Sequence, residues 1–537
     1  CLPGNHNGEI GIMPIRSILK RVATRWPFES IYRRVRPVKA KVLAYRPRGR
    51  SSRGAASSPR SRRIDDEVTP FGRGYLFVRG EEPHFVPSGW EHLSICDLDL
   101  WHDERLPVEI CAPDDFDGAA ILIGTATDSD LHSSNQSEIC RSLMEAASIS
   151  SESRELDEYV TWLGGRFVIL MVNGETMRIY GDATASRSCF WAVTERGFVA
   201  SSHSTLTARA IDEVATDRSR SILNHPDYKS PAGKWLPGAM APHDAVSMVT
   251  ANCALTVNKN EAKHSRFFPS EGYSPKRRDA FETARQVEEE LNRQLELGID
   301  RKKQFYFGLT AGWDSRVFLK ATLDRLQALN AIAFTYHSFA KNPSHSKDDL
   351  IAASRLAVGS DLRFLVMDLK PSDESSRFSR AYAKTFTGWA RFPALAESFF
   401  NEIDRDGQVA ILLGPEVGTV FYRERKPSLL NAHGLAKKFT QSSFSENGDL
   451  VRYLDSYIDY TQLDMSEDAT FHPFDLFYWE SRLSSWAAGG YAEYEMAADI
   501  VLPFNTRKIL VPMLEQSFED RLRKRVYEII LEEIDRQ

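Results

Sequence analysis

The stretch QFYFGLTAGWDSRVFLKATLDRLQ, residues 304–327, decides how the rest of the chain is read. Its first part is a short, nearly continuous apolar run, the pattern of a strand buried on both faces. From Arg316 to Gln327 the apolar residues return at helical spacing. Between the two, Thr310, Ala311 and Gly312 are small enough for backbone to approach a ligand closely. The amides that open the next helix would then point at that ligand, and the helix dipole favours an anion there. Asp314 on such a turn suits Mg2+, which commonly takes one or two carboxylates together with phosphate oxygens. Ser315 adds a hydroxyl donor for a phosphate. The same residues would equally serve an ordinary strand-to-helix turn with an Asp/Ser cap.

On either side of this stretch the pattern changes in kind. From about residue 275 helical periods alternate with short apolar runs: a helix at 277–299, strands at 304–310, 330–336, 362–369 and 409–414, helices at 316–327 and 347–358, and a helical stretch at 470–535. Strands separated by helices of this length imply right-handed βαβ units and a parallel sheet, with ligands at the carboxyl ends of its strands. From 66 to 270 the runs are strand-like and bounded by turns: GYLFVRG (74–80), AAILIG (119–124), GRFVILMVNGETMRIYGD (165–182) and GFVASS (197–202). Asn173-Gly174 within the third is a strong hairpin signal. The fold class expected is therefore α/β, an antiparallel β-rich domain at 66–270 followed by a parallel-sheet domain at 275–537.

Residues 1–65 differ from both. Between Arg16 and Arg63 there are sixteen Lys/Arg against one acid, Glu29. RPRGRSSRGAASSPRSRR (46–63) has no apolar periodicity and reads as a disordered basic tail able to touch an anionic surface. Over the whole chain the net charge is nevertheless −6, which argues against a dedicated nucleic-acid binder. With 42% hydrophobic and 26% charged residues over 537 positions, collagen-like, coiled-coil and wholly disordered readings are excluded. Six scattered cysteines without a CxxC pair favour a reducing, cytoplasmic compartment over a disulfide framework or zinc site. No run of 18 apolar residues exists to span a membrane.

Thr310-Ala311-Gly312-Trp313-Asp314-Ser315 resembles the Ser-Gly-Gly-x-Asp-Ser pyrophosphate-binding loop of the asparagine-synthetase-like ATP pyrophosphatases. The segment 163–206 is similar to the later strands of that family's class II glutamine-amidotransferase-like (Ntn) domain. Ala498-Asp499-Ile500-Val501-Leu502-Pro503-Phe504-Asn505 is similar to its Glu-x-Arg-x-Pro-Phe-Leu-Asp segment. The resemblance implies a degenerate amidotransferase-like domain followed by a HUP-like synthetase domain. It implies ATP and Mg2+ as cofactors, and a ligase that activates a carboxylate as an acyl-adenylate and passes it to ammonia or an amine. Leu309, Phe334, Leu413 and Gly414 would then border the nucleotide beside the 310–315 loop, with Asp314 and Glu416 as metal ligands. Small-molecule or peptide carboxylates and amines would be the partners, and two copies could pair as a homodimer.

Three departures from the family pattern bear on mechanism. Cys1 stands first, as the family's glutaminase nucleophile does, but Cys1-Leu2-Pro3 lacks the usual Gly-Ile, and the basic tail separates it from the first strand. Glutamine-dependent asparagine synthesis through Cys1 is thus an alternative, and a start at Met13 would exclude it. The second pyrophosphate loop reads Leu413-Gly414-Pro415-Glu416-Val417-Gly418-Thr419 rather than Gly-Glu-Gly-x-Asp-Glu, which makes Glu416 the second carboxylate, for Mg2+ or for amine deprotonation. Arg423 and Arg425 follow as phosphate partners or solvated charges. No lysine precedes Pro503 where the family has one, and Arg482 is the substitute, since a permanently charged fork suits phosphate. These departures also admit a non-catalytic relative that keeps the scaffold for binding.

Overall fold

The computed structural model describes residues 68–532, apart from 114–117, 150–152, 221–223, 227–234, 388–390, 405–406 and isolated positions. The readings of the basic tail, Cys1 and Met13 lie outside the described residues. Those residues belong to one compact unit, Arg60–Gln537. Among them no helix is long and apolar enough to cross a membrane.

Two six-stranded antiparallel sheets come first. In one, the strands run in the order Ser247–Met248, Phe190–Thr194, Gly197–Ser201, Tyr75–Gly80, Leu98–His102, Glu91–Ile95. In the other the order is Glu261–Arg266, Cys253–Asn258, Thr176–Gly181, Gly164–Asn173, Gly118–Thr127, Val108–Cys111. Alternation along the strands builds the core between the sheets: Ile121, Ile123, Val168 and Leu170 of one sheet meet Tyr75, Phe77, Leu100 and Phe198 of the other. The intervening residues are apolar as well, because each sheet is covered on its outer face. Ala120, Leu122, Phe167 and Ile169 pack with Ile139, Leu143 and Val160 of the helices Gln136–Ile149 and Arg154–Trp162. Leu76, Val78 and Val199 pack with Leu206 and Ala210 of the helix Ser204–Ala210. Burial on both faces explains why AAILIG and FVILMV read as unbroken apolar runs. The hairpin signalled by Asn173-Gly174 forms one position on: Asn173 pairs with Thr176 as the last residue of its strand, and Gly174-Glu175 make the turn, with Gly174 at φ 53°.

Two histidines in this part are buried neutral. Burial pushes His203 down to about 4, with Nδ1 2.8 Å from the Ser202 hydroxyl. Burial pushes His264 down to about 3, where Nε2 accepts from the Thr250 amide at 3.3 Å. The unfolded chain titrates near an ordinary histidine pKa, so it takes up these protons first, and the stability they contribute is present above about 6.5 and lost as pH falls. At pH 5 each histidine has forfeited about 2 kcal/mol. Urea midpoints at pH 7 and pH 5 should therefore separate less in His264→Gln than in the wild type.

A five-stranded sheet follows, parallel throughout, in the order Arg363–Asp368, Ile332–His337, Phe305–Gly308, Gln408–Ala410, Asp499–Val501. One face carries Phe305 and Phe307 against Val287, Leu291 and Leu295 of the helix Ala280–Gly298. The other carries Tyr306 and Val409 in the core shared with Phe399 of the helix Pro393–Glu402. Three details depart from the sequence reading, the first being that the strand expected at 409–414 is only Gln408–Ala410. The helix expected at 316–327 is two, Trp313–Ala321 and Leu323–Ala328, separated at Thr322, whose hydroxyl donates to the Phe318 carbonyl at 2.7 Å. The stretch 470–535 is not wholly helical, since Asp499–Val501 adds the fifth strand. Three residues are too few to show a period.

Candidate active site at the switch in strand order

From Phe305–Gly308 the chain steps outward through Ile332–His337 to Arg363–Asp368, then returns to the opposite side of Phe305–Gly308 with Gln408–Ala410. Strand order thus reverses between Phe305–Gly308 and Gln408–Ala410. The loops leaving two neighbouring strands at such a point diverge to opposite faces and leave a crevice at their carboxyl ends. The loop after the first strand leads to Asp314, and the loop after the second leads to Glu416.

The 309–315 loop is held from within. The Leu309 amide donates to the Phe334 carbonyl at 2.7 Å, and the Gly312 amide donates to the Thr310 hydroxyl at 3.0 Å. The Ser315 hydroxyl accepts from the Thr310 amide at 3.1 Å. The Ala311 amide already donates to a carboxylate, that of Asp349, at 3.1 Å. The helix Trp313–Ala321 starts at Gly312 with no side-chain cap, so its opening amides are not taken by an Asp or Ser side chain. Trp313 lies stacked near Tyr527, ring centroids 6.4 Å apart, and gathers two cations: Arg316 is 4.9 Å and the Lys524 ammonium 5.4 Å from its ring centre.

Asp314 accepts a hydrogen bond from the Tyr527 hydroxyl at 2.9 Å. Burial, reinforced by the negative charge of Glu416, pushes its carboxyl up to about 6, and Lys524 opposes the shift. Burial lowers Lys524, while Asp314 and Glu416 raise it and Arg316 and Arg423 lower it further. Two carboxylates and three cations therefore share one electrostatic neighbourhood. Glu416 sits on a single 3₁₀ turn, Pro415–Gly418, that begins at Gly414 with φ 127°, a conformation open to glycine. The Tyr478 hydroxyl donates to the Glu416 carboxylate.

The other residues singled out from the sequence occupy distinct places. Phe334 is buried edge-on against Phe399. Leu413 is half-buried at the end of the second loop. Arg425 is committed to Asp475, which it meets with two hydrogen bonds at 2.8 and 2.9 Å and which also binds Arg521. Arg482 stands on a π-helical segment, Tyr478–Ala487, and faces aromatic rings rather than Asp314. Lys524 and Tyr527 escaped the sequence reading. The one hint was the lysine inside RLRKRV (521–526), which sits at φ 60° between two short helices.

The residues present fit a divalent cation. Asp314 and Glu416, two carboxylates from adjacent loops, are a donor pair of the kind that Mg2+ completes with phosphate oxygens, and among the described residues no third His, Cys, Asp or Glu joins them as a metal ligand.

No family model matches the sequence, and no curated protein matches it. Among solved structures the chain is similar to a glutamine phosphoribosylpyrophosphate amidotransferase from B. subtilis complexed with ADP and GMP, at 10% identity and a TM-score of 0.23, over 66% of this chain and 79% of that one. It is also similar to a structure described as the allosteric regulatory enzyme of purine biosynthesis, at 10% identity and a TM-score of 0.24, over 57% of this chain and 63% of that one. Likenesses of this size carry no argument, so function is read from the site itself.

Proposed function

We propose that this chain is an ATP- and Mg2+-dependent ligase that activates a carboxylate as an acyl-adenylate and transfers the acyl group to ammonia or an amine. The observation that carries the reading is the meeting of Asp314 and Glu416, from the two loops at the reversal of strand order, beside Lys524, Arg316 and Arg423. The resemblance of the 310–315 hexapeptide to a pyrophosphate-binding loop supplies the reaction class.

In the first step a carboxylate oxygen bonds to the α-phosphorus of ATP, the bond from that phosphorus to the bridging oxygen breaks, and pyrophosphate leaves. The opening amides of the Trp313–Ala321 helix, with Lys524 and Arg316, face the charge that grows on the leaving group. They are fixed before the reaction, Lys524 and Arg316 by the Trp313 ring, so stabilisation costs little reorganisation. Asp314 and Glu416 would hold Mg2+, which when bound neutralises phosphate charge. In the second step the amine bonds to the acyl carbon, AMP departs with the electron pair of the acyl–oxygen bond, and the amine sheds a proton. Glu416, where it is not taken up by the metal, would instead serve as the base for that proton, with the Tyr478 hydroxyl donating to its carboxylate.

Carboxylate-dependent exchange of labelled pyrophosphate into ATP, with a panel of carboxylic acids, tests the reading. Exchange above background is expected with at least one acid. Calorimetry with Mg2+-ATP provides the complementary measurement, and a chain that binds no nucleotide at saturating magnesium is a scaffold. Because Asp314 takes up a proton near pH 6, Mg2+-ATP affinity should rise between pH 5 and pH 7 and level off above. Affinity flat across that range would show that Asp314 does not face the bound nucleotide.

A further inference from the structure

Behind Glu416 lies a second concentration of positive charge that the adenylation chemistry leaves unused. The Arg482 guanidinium lies 4.5 Å from the Trp486 ring centre, 5.3 Å from Trp235 and 5.6 Å from Phe421. Arg391 approaches the same Trp486 ring at 4.2 Å and Phe392 at 5.2 Å. Sharing one ring keeps the two guanidinium carbons within about 9 Å of each other. The group is continuous with the candidate site, since Phe421 packs on Tyr478 at 4.7 Å and Tyr478 donates to Glu416.

Arg391 lacks what buried arginines normally have, while Arg482 is half-buried beside its three rings. Arg391 is 6% exposed, and its Nε, Nη1 and Nη2 are all buried without a hydrogen-bond partner. Its nearest acid, Glu493, spends one oxygen on the Arg391 amide at 2.7 Å and the other on the Phe392 amide at 2.8 Å. Burial pushes that acid up to about 7 and pushes Arg391 down to about 10, so neither charge is well compensated. Burying a guanidinium with no acceptor is costly, and a fold that does so leaves its donors open to an incoming anion. The cations suited to the nucleotide phosphates are instead Lys524, which acts on Asp314, and Arg316 and Arg423, which act on Lys524.

We propose that Arg391 and Arg482 bind a second, non-reacting carboxylate of the acyl substrate, carried on an apolar frame that lies against Trp235, Phe421 and Trp486. The proposal rests on the ligase reading for the identity of the occupant. Arginine meets carboxylate with paired donors, and the surrounding rings exclude water and strengthen the pairing.

The test is calorimetry on the full chain with three probes: benzylsuccinate, 3-phenylpropionate and succinate. Benzylsuccinate should bind about ten-fold or more tightly than either of the others, which lack one carboxylate or the ring. Arg391→Met and Arg482→Gln should each abolish its advantage over 3-phenylpropionate, and Arg391→Met should leave Mg2+-ATP affinity unchanged. Arg391→Met should also melt no lower than the wild type, because it removes an unpaired buried charge. An arginine with a purely structural role would instead lower the melting temperature. Equal affinities for benzylsuccinate and 3-phenylpropionate, or an advantage that survives both substitutions, would overturn the proposal. Mg2+-ATP binding and its loss in Asp314→Ala report on the ligase reading separately. A chain that binds benzylsuccinate through the two arginines but no nucleotide keeps the anion subsite and loses only that reading.

Discussion

Asp314→Ala is expected to lower carboxylate-dependent ATP–pyrophosphate exchange by about 100- to 1,000-fold, the loss that follows removal of one preorganised charge-stabilising group. Asp314→Asn should lose as much, because it keeps the shape and an acceptor for the Tyr527 hydroxyl but not the negative charge. A stability measurement separates this loss from unfolding. In the fold Asp314 holds its proton up to about 6, well above an ordinary aspartate, so at pH 8 its ionised form is disfavoured by burial and by Glu416. Removing that charge should leave the melting temperature at or above the wild-type value. Exchange in Asp314→Asn equal to the wild type would remove Asp314 from the site.

The second large effect concerns stability. Glu495 ends the helix Ala488–Glu495 and is buried between two arginines of the antiparallel region, Arg166 at 2.5 Å and Arg187 at 2.9 Å. Its own carbonyl accepts from Arg73 at 2.9 Å. Burial works against its ionisation, yet the two arginines hold its carboxyl down at about 2. Glu495→Gln leaves both guanidiniums buried without a counter-charge, a change that should cost about 3–5 kcal/mol. The exposed pair Arg523–Glu519, 2.7 Å apart on one short helix, is the control. Glu519→Gln there should cost under about 1 kcal/mol, because solvent screens both charges. Thermal melts of the two variants side by side make the comparison. Similar melting temperatures would mean that the Arg166–Glu495–Arg187 group does not fasten the helix to the sheets.

Much of the fold was legible because the signals were local. FVILMVNGETMRIYG shows its two strands and the turn between them within fifteen residues, and Gly174 takes the positive φ at the turn while Asn173 stays in its strand. Alternation of helix and strand after 275 implied a parallel sheet, and the small residues of 310–312 marked where it would meet a ligand. The strand Asp499–Val501 was hidden because three residues carry no period, and it is a strand only through pairing with Gln408–Ala410. The split at Thr322 was hidden because a single hydroxyl–carbonyl bond interrupts an otherwise helical spacing.

The site was less legible than the fold. Asp314 could be named from its hexapeptide and Glu416 from its place after a strand. Nothing in the chain between them says that they approach each other, because that follows from the reversal of strand order. Lys524 reaches Trp313 from more than two hundred residues away, inside a run of cations that reads as solvated surface. Arg391 reads as an ordinary charged residue beside Phe392, and only the packing around it removes its water and its partners.

By itself, then, the sequence determined the order of the two architectures and the strand–loop–helix that presents Asp314. Both depend on periods and turn residues spanning a few positions of the chain. Tertiary structure alone decided which charges share a site: Asp314 with Glu416 and Lys524, and Arg391 with Arg482. Electrostatic neighbourhoods are set by distance in space and by exclusion of water, and neither is written in the spacing of residues along a chain.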